Sequence, residues 1–449
     1  MAIAAAKDNT RELQRTLYRA AKADPRRRFH ALHDKVSRRD VLERAWGLVR
    51  RNRGAAGIDR QTIEQVERYG VSRLLDELEA DLKDASYRAL PARRVFIPKP
   101  GSPERRPLSI PAVRDRIVQA ATKIVVEPIF EADFLPCSFG FRPRRSAHEA
   151  LQVLIDESWQ GKRWVVETDI ASCFEEIPHD RLMTAIEERV VDRKLLRLLG
   201  GLLAAGVMHE GAVKRSDTGT PQGGVISPLL ANVYLHRLDR AWKTRGTGTL
   251  VRYADDLVVI CGSERDARRA LLTLRVILGE LGLKLKDAKT RIVHLVEGGE
   301  GFDFLGFHHR YVRGRTARSR HFTFLARWPS RQAMQQARDR IRELTDRRRL
   351  LVPVEEIVQD VNRFLRGWAG YFRYGNSARH FLRMMTYATG RLALLMAKRH
   401  RRTRGYGWWS VVYRSPDRLG LINLNGSVVA PRPTRSWRGS PNTAGEGCR

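Results

Sequence analysis

Two adjacent aspartates, Asp255 and Asp256, stand inside a run of apolar and β-branched residues that spans 250–260. This composition predicts a strand with buried side chains. Two like charges in such surroundings are costly unless a proton or a cation compensates them, and hard divalent metals such as Mg²⁺ prefer carboxylate oxygens. An isolated Asp-Asp pair usually marks an ordinary turn. Evidence from other parts of the sequence is therefore needed to distinguish a turn from a metal site.

A second apolar strand, predicted over 164–170, carries Asp169 near its end. If the two strands lie side by side in one sheet, three carboxylates come together. Three carboxylates can hold two Mg²⁺ ions about 3.5–4 Å apart, which stabilises both the attacking and the leaving oxygen in phosphoryl transfer. The matching strand therefore favours a metal site over an ordinary turn.

The charge of the chain supports a phosphate-bearing partner. Lys and Arg number 83 against 50 Asp and Glu, which gives a formal net charge of +33 and a pI near 10.9. A surface this basic favours a polyanion, because each neutralised phosphate releases condensed counterions. The 42% of apolar residues is ample for a hydrophobic core, so the chain is not a disordered basic tail.

Neither a membrane nor an oxidising compartment is indicated. No apolar run approaches the roughly 20 residues that span a bilayer, and residues 1–7 do not resemble a signal peptide. The four cysteines are scattered and form no Cys-x-x-Cys pair. We therefore expect no membrane partner and a cytoplasmic location with reduced thiols.

Proline and glycine divide the rest of the chain into elements. Residues 91–111 alternate prolines and basic residues around two short apolar runs, which predicts a hairpin with a basic tip. The glycines of 219–224 allow close backbone approach to a ligand, and Pro228 is placed to open a helix. Beyond about residue 325 the chain reads as helical and Arg-rich up to about 403, then as short and irregular.

These elements form an ordered set of motifs. The set comprises residues 39–59, 106–111, 138–143, the strand of Asp169, residues 219–224, 253–256, 283–290 and 304–307. It resembles the reverse transcriptases, and most closely the bacterial group II intron-encoded reverse transcriptase/maturases. The resemblance implies an α+β fold: a right-hand polymerase with fingers, a palm built on an antiparallel sheet and a helical thumb, followed by a short C-terminal DNA-binding region.

The resemblance also implies a division into domains. We expect a basic N-terminal segment over 1–40, fingers and palm with an N-terminal extension over 41–325, a helical thumb or maturase domain over 326–400 and a DNA-binding tail over 401–449. Many relatives end in an endonuclease with His and Cys clusters. Since Cys448 stands alone and no suitable histidines follow His400, we expect no target-cutting activity.

Site residues follow from the same resemblance. Asp169, Asp255 and Asp256 are the expected catalytic metal ligands, with the Ile170 carbonyl as a further ligand, for two Mg²⁺ ions that Mn²⁺ could replace. The expected nucleotide-binding residues are Lys99, Arg106, Phe174, Gln222 and Lys289. Phe174 stands where the family has a ring under the sugar that excludes a 2′-hydroxyl. The alternatives are solvated hairpin charges for Lys99 and Arg106 and plain core packing for Phe174.

Two later regions are expected to contact nucleic acid. The primer grip would be Phe304, Leu305, Gly306 and Phe307, whose alternative is a simple hairpin edge. Further RNA or DNA contacts would come from basic and aromatic residues, namely Arg366, Trp368, Arg373, Lys398, Arg399, Arg401 and Arg402. Arginines near aromatics suit phosphate contact and base stacking. A helix that buries Trp368 explains the aromatic residues of that region equally well.

The expected function is RNA-directed DNA synthesis by nucleotidyl transfer to a primer 3′-hydroxyl, together with a maturase role in intron splicing and retrohoming. The expected partners are group II intron RNA, an RNA template with a DNA primer, target DNA and deoxynucleoside triphosphates. The oligomeric state is left open, a dimer included, and association with the nucleoid is expected. Two alternatives stay open: an intron-independent reverse transcriptase in repair or phage defence, and an RNA-binding splicing cofactor without polymerisation.

Overall fold

A computed structural model describes residues 8–98, 105–209, 212–214, 217–219, 223–314, 320–415 and 417–434. Helices and antiparallel strands together make this an α+β protein. The α-helices are α1 (Asn9–Ala23), α2 (His33–Val36), α3 (Arg39–Asn52), α4 (Ile63–Tyr69), α5 (Val71–Lys83), α6 (Val113–Glu131), α7 (Ala147–Trp159), α8 (Cys173–Glu176), α9 (His179–Glu187), α10 (Arg193–Ala204), α11 (Ser227–Arg245), α12 (Glu264–Glu280), α13 (Arg331–Leu344), α14 (Val354–Phe372), α15 (Ala378–Arg399) and α16 (Arg404–Trp408). Short 3₁₀ turns cover Asp287–Lys289 and Arg347–Arg349, and a π-helical turn covers Trp409–Tyr413.

The strands form three sheets. They are β1 (Ala92–Pro98), β2 (Arg105–Ile110), β3 (Trp164–Asp169), β4 (Val207–His209), β5 (Ala212–Lys214), β6 (Thr249–Tyr253), β7 (Asp256–Cys261), β8 (Arg291–His294), β9 (Phe302–Phe304), β10 (Phe307–Arg313) and β11 (Thr323–Pro329). Their orders are β2-β1-β4-β5, β6-β7-β3-β8 and β11-β10-β9. The chain divides into two compact units, the first made of Met1–Ser146, Thr168–Leu257 and Arg269–Thr290, the second of Ala147–Glu167, Val258–Arg268 and Arg291–Arg449.

The hairpin expected over 91–111 is present in the first unit. Strands β1 and β2 pair antiparallel, with Val95 opposite Leu108 and Ile97 opposite Arg106. Its basic tip, including Lys99, lies outside the described residues. Strand β4 continues this sheet parallel to β1, and β5 returns antiparallel to β4.

The strands that carry the aspartates are neighbours, as the sequence predicted. Strand β3 lies between β7 and β8 in one sheet, and it pairs antiparallel with β8. Val165, Val166 and Val251 are fully buried, as is Leu257. The long strand expected over 250–260 is in fact two strands, because the chain turns sharply at Ala254 and Asp255.

Helix α6 is the centre of the first unit's helical layer. Nearly all of its residues are buried, and helices α1 and α3 both pack against it. The sequence analysis expected only a basic segment over 1–40, whereas the structure has helix α1 over Asn9–Ala23, which buries Leu17 and Ala21. A helix with so few apolar residues has too narrow a stripe to stand out by periodicity.

In the second unit, helices follow a three-stranded sheet. The helical region begins later than expected, since Thr323–Pro329 is strand β11 and helix α13 starts only after Ser330, whose hydroxyl accepts the Ala333 N–H. Helix α15 packs against α13 and α16. Within the described part of the chain, no helix combines the length and apolarity required to cross a membrane.

Candidate active site

The two adjacent aspartates lie at a two-residue turn, formed by Ala254 and Asp255, between β6 and β7. Ala254 has a φ of 56°, in the left-handed region that glycine usually occupies at the first central position of such a hairpin turn. Asp255 completes the turn and Asp256 begins β7. The tight turn therefore places both carboxylates at the same end of the sheet.

Backbone hydrogen bonds hold Asp169 next to the turn that carries Asp255. The Ile170 N–H donates to the Asp255 carbonyl at 3.2 Å, and the Lys286 N–H donates to the Asp169 carbonyl at 2.8 Å. Ile170 also forms an isolated antiparallel bridge with Leu285. The end of β3 is thus fixed between the Asp255 turn and the segment that precedes Lys289.

The three carboxylates act on one another electrostatically. Burial, followed by the negative charges of Asp255 and Asp169, raises the pKa of Asp256 to about 7. Burial and the charge of Asp169 also raise the pKa of Asp255, while Lys289 and Arg106 oppose that shift. Burial and the crowding of like charges therefore both disfavour the charged form of Asp256, and the charge of Lys289 offsets only part of that shift in its pKa.

Lys289 supplies part of that compensation. Its Nζ lies 2.5 Å from Asp169 Oδ2. Burial lowers the pKa of Lys289, but the bond to Asp169 and the charges of the other two aspartates outweigh it and raise the pKa. The other oxygen, Asp169 Oδ1, is buried and has no hydrogen-bond partner.

This donor set fits divalent cations. A buried carboxylate oxygen without a partner and a neighbouring carboxylate with a raised pKa are both relieved by a metal ion that prefers oxygen ligands. Among the described residues, no group of three or more His, Cys, Asp or Glu side chains is already placed to hold a metal ion.

Two further expected residues lie close to the cluster. The charge of exposed Arg106, on β2, reaches Asp255 and opposes the rise in its pKa that burial and Asp169 cause. Phe174 is half-buried in α8, directly after buried Cys173. The thiol of Cys173 has a pKa raised to about 12 by burial and then by Asp255, so this short helix starts beside the aspartates.

The glycine-rich loop is described only at its two ends. Gln222 lies outside the described residues. A Cβ added to Gly223 would lie 2.6 Å from the Ser109 carbonyl oxygen on β2, and one added to Gly219 would lie 2.9 Å from the Glu175 carbonyl oxygen on α8. The two described ends of the loop therefore lie next to helix α8, at Gly219, and next to strand β2, at Gly223.

The expected primer grip is a tight hairpin turn in the second unit. Leu305 and Gly306 both have positive φ, 50° and 77°, between β9 and β10. Tyr371 Oη donates to the Leu305 carbonyl at 2.8 Å. Phe307 is fully buried and its ring packs on those of Tyr371 and Phe372, while Phe304 is buried as well.

The other expected nucleic-acid residues divide into exposed and buried ones. Four arginines are exposed and Lys398 is half-buried; the arginines are Arg366, Arg373, Arg401 and Arg402. Trp368 is buried against Phe372 and Phe381, so core packing accounts for this ring. Arg399 donates to the Leu350 and Val352 carbonyls, which engages its guanidinium within the fold.

One group of residues beneath the turn has no counterpart in the sequence expectations. Arg252, on β6, is fully buried and paired with Asp239 of α11. Asn232 of the same helix is also buried and bonded to Arg252. The sequence did contain a signal for this group, namely an arginine inside an otherwise apolar strand. A buried guanidinium requires hydrogen-bond acceptors nearby, so Arg252 indicated buried polar partners.

Two family models match this chain. Residues 97–309 match the family model described as "Reverse transcriptase (RNA-dependent DNA polymerase)", and residues 334–413 match "Group II intron, maturase-specific domain". The chain belongs to the group II intron reverse transcriptase/maturase family. The first match contains the three aspartates, and the second contains Trp368 and the basic run after residue 398.

Several relatives of this family member are known by sequence. Protein YkfC of Escherichia coli is 36% identical over 348 residues, which are 68% of this chain and 89% of that protein. The group II intron-encoded protein LtrA of Lactococcus lactis is 38% identical over 214 residues, 47% of this chain but only 35% of LtrA. Nuclear intron maturase 2 of Arabidopsis thaliana is 28% identical over 172 residues, 29% of this chain and 23% of that protein. By its family, the chain is a reverse transcriptase, that is, an RNA-directed DNA polymerase.

Proposed function

We propose that the chain copies RNA into DNA for a group II intron, by nucleotidyl transfer to a primer 3′-hydroxyl with two Mg²⁺ ions. The observation that carries this proposal is the cluster of Asp169, Asp255 and Asp256. These carboxylates come from adjacent strands, repel one another and include a buried oxygen without a partner. A purely structural cluster would be expected to neutralise such a charge within the fold.

The three aspartates, with the Ile170 carbonyl, would hold the two Mg²⁺ ions. Bound there, the ions would favour attack by the primer 3′-oxygen on the α-phosphate and departure of pyrophosphate, and Mn²⁺ could replace them. Lys289 would give up its contact with Asp169 as the positive charge of the metals replaces its own. The raised pKa values of Asp255 and Asp256 would then fall, since bound cations favour the charged carboxylates.

Other residues of the first unit would bind the incoming nucleotide. Arg106, whose charge already reaches Asp255, would bind the triphosphate together with Lys99. Phe174, at the start of the chain segment after Asp169, would lie under the sugar and exclude a 2′-hydroxyl. Gln222 and its loop would contact the nucleotide and template. In this proposal strands β1 and β2 belong to the fingers and β3, β6 and β7 to the palm.

The second unit would bind the primer and the intron RNA. Helices α13 to α15 would form the thumb or maturase domain, and the turn of Leu305 and Gly306 would support the primer end. The match of residues 334–413 to the maturase-specific domain supports a maturase role. The exposed Arg401 and Arg402 would contact phosphates of intron RNA or target DNA, which would serve splicing and retrohoming.

Primer extension on an RNA template tests the polymerase proposal. Wild-type protein should extend a DNA primer with Mg²⁺ and deoxynucleoside triphosphates, whereas Asp255→Ala should show no extension above background. Asp180→Ala is a matched control, because Asp180 is an exposed aspartate in α9 of the same unit. Equal extension by wild type and Asp255→Ala would refute the metal assignment.

Splicing of the flanking intron RNA at low Mg²⁺ tests the maturase proposal. Splicing should depend on added protein, and Asp255→Ala should retain this dependence because RNA binding does not use the carboxylates. Splicing that is independent of protein would remove the maturase role. If the DNA around the reading frame encodes no intron RNA, the alternative of an intron-independent reverse transcriptase is favoured instead.

A further inference from the structure

Arg252 and Asp239 form an ion pair in which both side chains are fully buried. The guanidinium binds the carboxylate through two bonds, from Nε to Oδ1 at 2.8 Å and from Nη2 to Oδ2 at 2.6 Å. A buried pair is tolerated only when its remaining N–H groups also find acceptors. The identity of those acceptors therefore shows what the pair is connected to.

The remaining donors of Arg252 point to the turn that bears the aspartates. Nη1 donates to the Ala254 carbonyl at 3.2 Å and to Asn232 Oδ1 at 3.0 Å. Nη2 also donates to Ser138 Oγ at 2.7 Å. One guanidinium thus joins helix α11, the segment around Ser138 and the backbone of the turn.

The segment around Ser138 closes against the other side of the turn. It runs beside β6, since the Arg252 N–H donates to Cys137 O at 2.8 Å and the Phe139 N–H donates to Arg252 O at 2.9 Å. Asn232 Nδ2 fixes the next residue by donating to the Gly140 carbonyl at 2.8 Å. Gly140 lies so close to the turn that an added Cβ would be 2.5 Å from the Ala254 nitrogen.

These contacts surround a strained residue. Ala254 has a left-handed φ of 56°, which costs free energy in any residue with a Cβ. Such a conformation persists only where the surroundings determine it more strongly than the local preference. Because Asp255 and Asp256 follow directly, any relaxation at Ala254 would reorient both carboxylates.

We infer that Arg252 is a positioning residue for DNA synthesis: supported by Asp239 and Asn232, it fixes the Ala254 carbonyl and thereby the direction of Asp255 and Asp256. This inference rests on the proposed polymerase function. The competing explanation is that the pair only joins α11 to β6. The two explanations differ in whether the network affects metal dependence or only the amount of folded protein.

Single-turnover primer extension over a range of Mg²⁺ concentrations separates them. Arg252→Lys keeps the positive charge but loses the planar guanidinium, which donates to Asp239 and to the Ala254 carbonyl at the same time. We expect its maximal rate per active site to fall about 100-fold, as for a displacement near 1 Å at reacting groups. The Mg²⁺ concentration at half-maximal rate should rise several-fold, while affinity for the primer–template stays within twofold.

Asn232→Ala is the second variant, since it removes no charge and leaves the ion pair in place. It should change Mg²⁺ dependence in the same direction and more weakly. Arg189→Lys is the matched control: Arg189 is also a buried arginine of the first unit, where it donates to the Ala21 carbonyl. It should lower thermal stability and leave Mg²⁺ dependence unchanged.

The outcomes are distinct. Wild-type rate per active site and wild-type Mg²⁺ dependence in both Arg252→Lys and Asn232→Ala would overturn the inference while leaving the polymerase proposal standing. If Arg252→Lys does not fold, Asn232→Ala alone decides in the same way. Absence of extension by the wild type would refute the proposed function, and the inference with it.

Discussion

Replacement of Gly140 by alanine is the smallest change that should displace the aspartate turn. The new Cβ would lie 2.5 Å from the Ala254 nitrogen and 3.0 Å from the Tyr253 carbonyl carbon, both of them backbone atoms. Ordinary contact begins at 3.4 Å, so the segment and the turn have to separate by about 0.9 Å. Because neither side is the flexible end of a side chain, the strain cannot be relieved by a rotamer change.

The magnitude follows from that displacement. A shift of roughly 1 Å at the reacting groups can reduce the rate about 100-fold. Overpacking of a close-packed site typically costs about 1–3 kcal/mol of unfolding free energy. Gly140→Ala should therefore fold, with a lower melting temperature, and should synthesise DNA at about 1% of the wild-type rate per active site.

The assay is single-turnover primer extension, normalised to the concentration of active sites and paired with thermal unfolding. Gly200→Ala provides the control within the same unit, because a Cβ there meets nothing within 4 Å and the residue lies in helix α10. This control should gain about 0.5–1 kcal/mol of stability and keep its activity. A wild-type rate in Gly140→Ala would refute the claim that this backbone contact holds the turn.

Further predictions address other features. Phe174→Ala should raise the ratio of ribonucleotide to deoxyribonucleotide kcat/KM at least tenfold, and an unchanged ratio would exclude a role under the sugar. Arg399→Ala should lower the melting temperature by several degrees with RNA affinity unchanged, since its guanidinium binds backbone carbonyls. Arg402→Ala, which removes an exposed guanidinium, should leave the melting temperature unchanged, weaken RNA binding and reduce the salt slope of binding by about 1. Burial raises the pKa of Asp115 from 3.8 to about 6, so the folded protein binds the Asp115 proton more tightly than the unfolded chain does. The stability that this proton contributes is therefore lost as pH rises from about 4 through 6. In urea titrations, Asp115→Asn should show a free energy of unfolding that depends less on pH over that interval.

Strongly local signals allowed part of this architecture to be predicted from the sequence. Asp169 and the Asp255–Asp256 pair stand out because apolar strands rarely carry charge, and the structure places their strands side by side. The hairpin over 91–111 was predictable from its prolines and alternating runs. In each case the signal lies in the residues directly around each carboxylate or within the hairpin itself.

What the sequence could not show depends on distant residues. Arg252 finds Asp239 and Asn232 at separations of 13 and 20 residues, on a helix whose facing side is set by packing. Arg399 belongs to a basic run typical of a phosphate-binding surface, yet its guanidinium turns to the carbonyls of Leu350 and Val352. For Trp368, helical spacing suited exposure and burial equally, and contacts with Phe372 and Phe381 bury it.

Counting bound Mn²⁺ in a stalled complex tests the central claim most directly. The protein would be mixed with an RNA template, a primer that lacks its 3′-hydroxyl and the next deoxynucleoside triphosphate, and the bound ion measured by electron paramagnetic resonance. The three aspartates predict two tightly bound ions per wild-type chain and the loss of at least one in Asp169→Asn, with primer–template affinity unchanged. Equal Mn²⁺ binding by wild type and Asp169→Asn would contradict a metal site built on these carboxylates.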